Sequence, residues 1–320
     1  MKKIGVLTSG GDAPGMNAAI RAVVRTAIYY KMDVVGIKKG YNGLLNADAV
    51  EMNARSVSDI LHRGGTILQT ARCKEFKTAE GVKKGVEMAR KLGLEGLVVI
   101  GGDGSFRGAR DLSLAGLPTV GIPATIDNDI SCTEYSIGFD TALNTVKDAI
   151  DKIRDTCRSH ERCSVIEVMG NDAGYIAVYA AIACGAEAAI VPEKPFDFDR
   201  DILTPIKEGQ QRGKEQNLII VAEGVGGVVE MAEKIEKETG IETRATILGH
   251  IQRGGSPTVT DRITASRMGV RAVELLKEGV GNRIVGRQNN EIVDYDILEG
   301  LGIVKRMEDE YIDLAKILSM

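Results

Sequence analysis

The chain has 320 residues, of which 43% are hydrophobic and 27% charged, with 38 glycines and only 7 prolines. At about 150 residues per domain, this length predicts about two domains. Lysine and arginine (41) nearly balance aspartate and glutamate (45), which leaves a formal net charge of −4. The composition excludes a disordered or collagen-like chain, and the charge balance argues against nucleic acid or anionic membranes as partners.

The five cysteines form no C-x-x-C pair and are odd in number, so we expect reduced thiols rather than disulfides or a zinc site. The apolar stretch after Met1-Lys2-Lys3 is too short for the hydrophobic region of a signal peptide. No run reaches the roughly 18 apolar residues that cross a bilayer. These features predict a cytoplasmic protein without a membrane partner.

Short β-branched runs alternate with helical patterns from end to end of the chain. Most of the runs are continuously apolar, which is typical of strands buried on both faces of a mainly parallel sheet. Between residues 141 and 157, Leu143, Val146 and Ile150 recur at three- and four-residue steps and predict an amphipathic helix. The alternation predicts a layered α/β fold with ligands at the carboxyl ends of the strands. The predicted strands are Ile4–Leu7, Val34–Ile37, Leu97–Ile100, Thr119–Ile122, Ser164–Val168, Ala189–Val191, Leu218–Ala222 and Ala245–Leu248.

The strand–turn–helix pattern of Ile4–Ile20 recurs at Ser164–Ile182, with a glycine-rich turn in both. This repetition indicates two similar α/β units that face one another across a cleft, although two ordinary strand–turn–helix units would also resemble each other. No low-complexity linker separates the halves, so the boundary stays open and the chain has room to cross between lobes more than once.

The turn Thr8–Gly15 follows the first predicted strand and opens a helix. Its glycines would let backbone N–H groups approach an anion, and the helix N-terminus adds partial positive charge. The turn matches neither a Walker A sequence nor G-x-G-x-x-G. A plain strand–helix connection is therefore the alternative.

A second glycine-rich turn, which carries one carboxylate, follows the apolar run Leu97–Ile100. The backbone amides of Gly102, Gly104 and Ser105 are candidates to hold phosphate oxygens. Because Asp103 would repel a phosphate unless a cation lay between them, we assign Asp103 to Mg²⁺. The alternative is that Asp103 caps the following helix.

Two carboxylates, Asp127 and Asp129, lie in the turn after the strand that ends near Ile122. With no basic residue nearby in sequence, they repel one another. This suits a pair in which one carboxylate orients a metal and the other accepts a proton from an attacking hydroxyl. The alternative is an Asx-turn with solvated carboxylates.

The segment Gly249–Pro257 offers His250 and Arg253, flanked by glycines, as donors to a phosphate. An isolated arginine is usually a solvated or ion-paired surface residue. Further cationic candidates are Arg72, Arg162 and Arg244, and the alternative for each of them is such a surface residue.

Nine segments carry a resemblance that covers essentially the whole chain: Gly5–Asn17, Arg63–Thr66, Thr70–Arg72, Gly101–Ser105, Thr125–Asp129, Glu167–Gly170, Val221–Gly224, Glu242–Thr246 and Gly249–Pro257. In order and spacing they resemble the bacterial ATP-dependent 6-phosphofructokinases. The resemblance implies a homotetramer whose subunits have two three-layer α/β/α lobes with the active site in the cleft between them. The implied lobes are a nucleotide-binding lobe of residues 1–137 plus about 252–305, and a sugar-phosphate-binding lobe of about 138–251 plus 306–320.

The resemblance further implies phosphoryl transfer from ATP to the 1-hydroxyl of fructose 6-phosphate, with Asp127 as the base, Thr125 at the reacting end of the sugar and Asp129 assisting the metal. Arg72 would neutralise the phosphate oxygens. The implied nucleotide residues are Gly11, Arg72, Cys73, Gly102, Asp103, Gly104 and Ser105, with Asp103 on Mg²⁺. The implied sugar-phosphate residues are Thr125, Asp127, Arg162, Met169, Gly170, Asn171, Glu223, Arg244, His250 and Arg253, of which Arg162 and Arg244 would reach the neighbouring subunit's site.

Members of this family bind effectors at a second site, located at a subunit interface, where ADP activates and phosphoenolpyruvate inhibits. Arg21 and Arg25 lie four residues apart, so they share a helix face and form either a small anion trap or a solvated surface. Glu187 would coordinate a cation carried by the diphosphate. The residues that match the effector site are Arg21, Arg25, Arg154, Gly185, Glu187, Arg212 and Lys214.

The sequence departs from the family at several positions. Asn171 stands where well-known relatives carry arginine, and Ala124 stands where glycine is usual. Around the effector site, Ala54 and Gln216 replace an arginine and a histidine of some relatives. These departures leave the rate and the regulation open.

The rival function within the family is a pyrophosphate-dependent phosphofructokinase. Relatives that use pyrophosphate typically carry aspartate at the position of Gly104 and lysine at that of Ala124; both residues here are small and neutral, which favours ATP. A weakly catalytic regulatory paralogue is supported only by Asn171. A nicotinamide-dependent dehydrogenase would need a glycine fingerprint that the first turn lacks, and an NAD kinase-like enzyme would not explain Gly249–Pro257.

Overall fold

The computed structural model describes residues 1–214 and 216–319, which form two compact units. Unit 1 comprises Met1–Thr141 and Arg253–Lys305. Unit 2 comprises Ala142–Gln252 and the C-terminal segment from Arg306. Glu215 and Met320 lie outside the described residues.

Within the described residues the strands alternate with helices, as the sequence predicts. The strands are β1 (Lys3–Ser9), β2 (Asp33–Ile37), β3 (Ala49–Met52), β4 (Gly96–Gly101), β5 (Thr119–Pro123), β6 (Cys163–Val168), β7 (Ala188–Ile190), β8 (Asn217–Ala222), β9 (Thr243–Ile247), β10 (Arg283–Gln288) and β11 (Glu291–Asp296). The helices are α1 (Met16–Tyr29), α2 (Gly40–Asn46), α3 (Ala79–Lys91), α4 (Asp103–Leu114), α5 (Phe139–His160), α6 (Tyr175–Cys184), α7 (Thr204–Gln211), α8 (Val228–Thr239), α9 (Val259–Lys277), α10 (Ile297–Gly302) and α11 (Asp309–Leu318).

The sheet of unit 1 has the order β11-β10-β5-β4-β1-β2-β3. Its five inner strands run parallel, and β3 and β11 pair antiparallel at the two edges. Helices α1 and α9 pack together and cover the sheet on one side, while α2, α3, α4 and α10 enclose the core around Leu7, Phe76 and Phe106. Aliphatic side chains of β1, β2, β4 and β5 are buried, which explains the apolar runs in these strands.

The sheet of unit 2 is parallel throughout and has the order β7-β8-β6-β9. Helices α7 and α8 pack against it through a core that includes Ile206, Ile219 and Ile235. Helix α6 contacts β7 and β8, and α11 packs on α6 through the stacked rings of Tyr179 and Tyr311, whose centroids lie 4.9 Å apart.

The structure confirms the mainly parallel α/β fold and corrects some predicted elements. Strand β9 begins two residues before the predicted Ala245, because Thr243 and Arg244 extend the strand without adding apolar character. Strands β3, β10 and β11 were not predicted, since their sequences mix polar with apolar residues at or beside a sheet edge. Among the described residues, no helix combines the length and the apolar character that crossing a membrane requires.

Candidate functional site

The candidate site of unit 1 is built on the carboxyl ends of β1, β4 and β5. Ser9 pairs with Gly101, and Gly101 pairs with Pro123, so the turns after the three strands begin side by side. We call Ser9, Gly101 and Pro123 the strand-end row. A Cβ added to Gly101 would lie 2.3 Å from the backbone oxygen of Ser9, so this approach of the two chains requires glycine.

The turn after β4 opens helix α4. Gly102 occupies the N-cap position and Asp103 is the first helical residue, so the interpretation of Asp103 as the cap is wrong. The Oδ2 atom of Asp103 accepts a hydrogen bond of 2.9 Å from Nε of Arg107, one turn further on. Gly104 is exposed, and a Cβ added there would meet no atom within 4 Å. The helix N-terminus, which attracts anions, therefore opens directly at the strand-end row.

Gly11 and Arg253 lie side by side in unit 1 although they are far apart in the sequence. A Cβ added to Gly11 would lie 2.6 Å from Nη1 of Arg253, which donates a 3.4 Å hydrogen bond to the carbonyl oxygen of Asp12. Arg72 is exposed, and Cys73 packs half-buried against the core. The structure thus brings a guanidinium to the first glycine-rich turn, a proximity that the sequence analysis did not assign.

Thr125 and Asp127 are joined by two hydrogen bonds in the turn after β5. The hydroxyl of Thr125 donates to Oδ2 of Asp127 and accepts from the backbone N–H of Asp127, both at 3.2 Å. The Cβ of Thr125 lies 4.0 Å from a Cβ added to Gly102, so this turn adjoins the start of α4. Asp127 is partly exposed and Asp129 is exposed. The arrangement holds one carboxylate at the edge where α4 begins.

In unit 2, Glu223 holds the turn that follows β6. Its Oε1 atom accepts hydrogen bonds from the backbone N–H groups of Gly170 (3.2 Å) and Asn171 (2.7 Å). Gly170 has a φ of 141°, and a Cβ there would lie 2.2 Å from the carbonyl oxygen of Ala173. Asn171 has a φ of 53°, in the left-handed region where asparagine is enriched. Three of the expected sugar-phosphate residues therefore form one hydrogen-bonded turn.

Gln252 joins Met169 to the segment Gly249–Arg253, which is a short 3₁₀ helix. The buried side-chain amide of Gln252 accepts from the backbone N–H of Met169 (3.1 Å) and donates to the carbonyl oxygen of Gly249 (3.0 Å). His250 is exposed on the same segment. The sequence analysis missed Gln252; a polar residue between the apolar Ile251 and a glycine-flanked arginine is the only signal that it offered.

Arg162 and Arg244 share one carboxylate in unit 2. Arg162 Nε lies 2.7 Å from Oε2 of Glu242, and Arg244 donates to the other oxygen of that carboxylate. The hydrogen bond and charge of Arg162, with a smaller contribution from Arg244, hold the pKa of Glu242 below its usual value. Arg244 is exposed on β9, which is an edge strand.

A separate cavity of about 250 Å³ lies within unit 2 and contains four of the seven expected effector residues. Nζ of Lys214 lies 2.5 Å from Oε1 of Glu187, whose other oxygen accepts from the backbone N–H of Leu218. Arg154 donates to the carbonyl oxygen of Cys184. The cavity is lined by Ile153, Arg154, Cys157, Ser164, Cys184, Gly185, Glu187, Lys214, Gln216, Asn217 and Leu218.

The other three expected effector residues lie elsewhere in the fold. Arg212 directly follows α7, and its Nη2 atom lies 3.8 Å from Oε2 of Glu208. Arg21 and Arg25 lie one turn apart on α1 in unit 1, and burial together with the charge of Arg25 lowers the pKa of Arg21. The structure therefore places four of the five expected effector residues of unit 2 around the cavity, with Arg212 outside its lining, and the two arginines of α1 in unit 1.

The residues at the start of α4 fit a magnesium ion that arrives with a nucleotide. Among residues 1–214 and 216–319, no three histidine, cysteine, aspartate or glutamate side chains are grouped to hold a metal. Proteins usually bind Mg²⁺ through one or two carboxylates together with substrate phosphates. The carboxylate of Asp103, partly exposed beside a helix N-terminus, is suited to that arrangement.

Comparisons with known sequences give a consistent match. The family model described as "Phosphofructokinase" matches residues 3–276. The chain is 60% identical to a Clostridium novyi protein over 319 residues and 59% identical to a Bacillus subtilis protein over 320 residues, covering 100% of each. Both proteins are named ATP-dependent 6-phosphofructokinase.

Comparisons with solved structures give the same fold. A phosphofructokinase from Saccharomyces cerevisiae matches with a TM-score of 0.88 and 35% identity; the match covers 100% of this chain but 48% of the yeast chain, which is about twice as long. A pyrophosphate-dependent phosphofructokinase from Marinobacter aquaeolei matches with a TM-score of 0.86, 20% identity and coverage of 97% and 86%. At that identity the second match shows the fold alone.

Glu167, on β6, should titrate differently when Glu223 is replaced. Burial and, second, the negative charge of Glu223 raise the pKa of Glu167. A raised carboxyl pKa means that the folded state holds more protons than the unfolded state, so this group makes folding less favourable as pH rises through that range. We expect Glu223→Gln to lower the pKa of Glu167 without restoring its usual value, because burial remains. Carbon-13 NMR titration of the Glu167 carboxyl measures this, with the exposed Glu230→Gln as control; an unchanged or higher pKa would contradict the coupling.

Proposed function

Since the chain belongs to the phosphofructokinase family, we propose that it transfers the terminal phosphoryl group of ATP to the 1-hydroxyl of fructose 6-phosphate, giving fructose 1,6-bisphosphate and ADP. The observation that carries this proposal is identity of 59–60% over the full length with proteins named ATP-dependent 6-phosphofructokinase. The free thiols of all five cysteines suit a reducing cytoplasm, where we place the protein.

The turns of unit 1 bind the nucleotide in this proposal. The backbone N–H groups at the start of α4 receive phosphate oxygens, and Asp103 holds the Mg²⁺ that the nucleotide carries. Bound there, the ion would neutralise charge that develops on the phosphate oxygens. The open space at Gly104 supports ATP over pyrophosphate, because it leaves room beside the phosphates. The remaining nucleotide residues are Gly11, Arg72, Cys73, Gly102 and Ser105.

Asp127 is the base in this proposal. Phosphoryl transfer needs positioning and charge neutralisation more than covalent work from the protein. The hydrogen bonds with Thr125 fix the direction of the Asp127 carboxylate, which accepts the proton of the 1-hydroxyl as the oxygen attacks phosphorus. Arg72 neutralises the transferring group, and Asp129 supports the metal and the turn.

In this proposal the sugar phosphate is bound by the residues that the resemblance assigns to it. The turn of Met169, Gly170 and Asn171, held by Glu223, contacts the sugar, and His250 and Arg253 bind its 6-phosphate. Arg162 and Arg244 act in the site of a neighbouring subunit of a homotetramer. Their shared pair with Glu242, partly exposed to solvent, supports this role, because such pairs exchange for a phosphate at little cost.

We place the effector site at the cavity of unit 2. A cavity of about 250 Å³ that carries Arg154 and Lys214 is suited to a phosphate group. ADP would activate and phosphoenolpyruvate would inhibit there, with Arg212, Gly185 and Glu187 also contributing and with Arg21 and Arg25 supplied by α1 of a neighbouring subunit.

Initial rates with fructose 6-phosphate test the proposed function directly. We expect product with ATP and Mg²⁺, and at most traces with pyrophosphate in place of ATP. Faster turnover with pyrophosphate than with ATP would contradict the proposal and would indicate a pyrophosphate-dependent phosphofructokinase. Binding of both substrates without product from either donor would replace it by a regulatory paralogue.

Replacement of the base tests the chemistry. We expect Asp127→Ser to lower kcat by about 10²–10⁴-fold, the usual contribution of a general base, while the Kd for fructose 6-phosphate changes little. Steady-state kinetics and isothermal titration calorimetry measure the two quantities. Asp33→Ser, at an exposed aspartate of β2, is the matched control. Near-normal turnover of Asp127→Ser would refute the assignment.

Replacement of a cavity lysine tests the effector site. Lys214→Gln keeps a donor for the buried carboxylate of Glu187 but removes the positive charge. We expect the ADP concentration that gives half-maximal activation to rise by about tenfold or more, since a charge-assisted hydrogen bond contributes about 1.5–3 kcal/mol. Fructose 6-phosphate saturation curves at graded ADP and phosphoenolpyruvate provide the measurement, with the exposed Lys207→Gln as control. If neither ADP nor phosphoenolpyruvate shifts the saturation curve of the unmodified protein, the proposed effector site is wrong.

A further inference from the structure

The side chain of Lys305 reaches the loop that carries Asp127. Its Nζ atom donates hydrogen bonds to the backbone carbonyl oxygens of Asn128 (2.6 Å) and Thr133 (2.9 Å). Lys305 is the last residue of unit 1, more than 170 positions along the chain from this loop. None of the motifs in the sequence includes it.

The loop between Thr125 and Ser136 is closed around the side chain of Asn128, which is 2% exposed. Its Oδ1 atom accepts from the backbone N–H of Ser136 (2.9 Å), and its Nδ2 atom donates to the carbonyl oxygen of Glu134 (3.1 Å). The hydroxyl of Ser136 donates to the carbonyl oxygen of Thr125 at 2.7 Å. These bonds tie together the two ends of the loop.

The backbone of Asn128 has a φ of 52°, in the left-handed region. This conformation turns the chain sharply between Asp127 and Asp129, and it must be held by the surroundings of the residue. The side chain of Asn128 is held by the loop itself, whereas its carbonyl oxygen is held by Lys305. The ammonium therefore anchors the peptide group between Asn128 and Asp129, one residue beyond Asp127.

The charge of Lys305 suits this anchoring role. Burial lowers its pKa to about 8, and the neighbouring Asp129, Cys132 and Glu134 oppose that shift. At neutral pH the group remains mostly an ammonium, which has three N–H donors and no acceptor. Charge-assisted hydrogen bonds to two carbonyl oxygens are stronger than neutral ones and fix both ends of the segment from Asn128 to Thr133.

We infer that Lys305 is a positioning residue for Asp127: by binding the carbonyl oxygens of Asn128 and Thr133, it holds the loop in the conformation that aims the base. The expected effect on kcat rests on the proposed function, whereas the expected effect on the loop conformation does not. A displacement of about 1 Å in a reacting group can cost about 10²-fold in rate, so a loosened anchor should act mainly on kcat.

The test replaces Lys305 by methionine, which keeps the apolar stem and removes the donors and the charge. We expect kcat to fall by about 10- to 10²-fold, with the KM for ATP changed less than about threefold. Amide hydrogen exchange of residues 126–136 should become about tenfold faster or more, while exchange elsewhere in unit 1 is unchanged. Lys91→Met, at an exposed lysine of α3, is the matched control and should change neither quantity.

Lys305→Arg keeps the charge and several donors, and we expect it to recover most of the lost kcat and the slow exchange of the loop. A loss in Lys305→Arg as large as in Lys305→Met would overturn the inference. Unchanged loop exchange in Lys305→Met would also overturn it, as would faster exchange spread evenly over the unit, which marks a general loss of stability. If Lys305→Met does not fold, Lys305→Gln is measured in its place, with the same outcomes decisive.

The two readouts separate this inference from the proposed function. If the unmodified protein transfers no phosphoryl group to fructose 6-phosphate, the proposed function fails. The exchange of residues 126–136 in the Lys305 variants then still decides whether the lysine holds the loop.

Discussion

The register of three parallel strands is the constraint on which the unit 1 site depends. Ser9, Gly101 and Pro123 stand opposite one another, so three turns leave the sheet at the same level. Successive residues of a strand are about 3.3 Å apart and point to opposite faces. A slip of one residue would therefore displace a whole turn and bury the wrong side chains. The missing side chain of Gly101 permits the close contact with Ser9 that keeps the three turns together.

Unit 2 repeats this principle with different groups at the strand ends. Val168 pairs with Ala222, so the turn of Gly170 and the side chain of Glu223 emerge from adjacent strands. In unit 1 a threonine hydroxyl and a helix N-terminus organise the turns, whereas in unit 2 the carboxylate of Glu223 binds two successive backbone N–H groups. A carboxylate in this role leaves those N–H groups occupied, so the turn is shaped before any ligand arrives.

Features that depend on local sequence were predictable, and features that depend on distant contacts were not. The buried parallel strands and α5 follow from apolar runs and helical spacing, and the glycine-rich turns follow from their composition. The edge strand β11 and its neighbour β10 carry sequences that mix polar with apolar residues, so no local pattern marks them. The placement of Arg253 beside Gly11 and of Lys305 beside Asn128 arises from tertiary packing alone.

The candidate site residues show the same division. The resemblance to a family identified the candidate residues in the turns that follow the strands, because they lie within short motifs of fixed spacing. Gln252 lies inside one of those motifs, yet its role as a bridge between Met169 and Gly249 appears only when β6 is placed beside β9. Asp127 and Asp129 looked free of basic neighbours in the sequence, whereas Lys305 is close enough in the fold to interact with Asp129.

The cationic side chains of the proposed phosphate sites differ in how easily they exchange their partners. Exposed pairs such as Arg244 with Glu242 contribute little to stability because solvent screens them, so a phosphate can replace the carboxylate at little cost. The pair of Lys214 with Glu187 is different, because the carboxylate side chain is only 3% exposed. Removing its partner would leave a buried charge, at a cost of about 3–5 kcal/mol. A phosphate in that cavity must therefore share Lys214 with Glu187 or bring a cation that takes over the carboxylate. This requirement favours a diphosphate with a bound cation over an anion without one, and it gives the proposed effector site a physical basis for distinguishing the two.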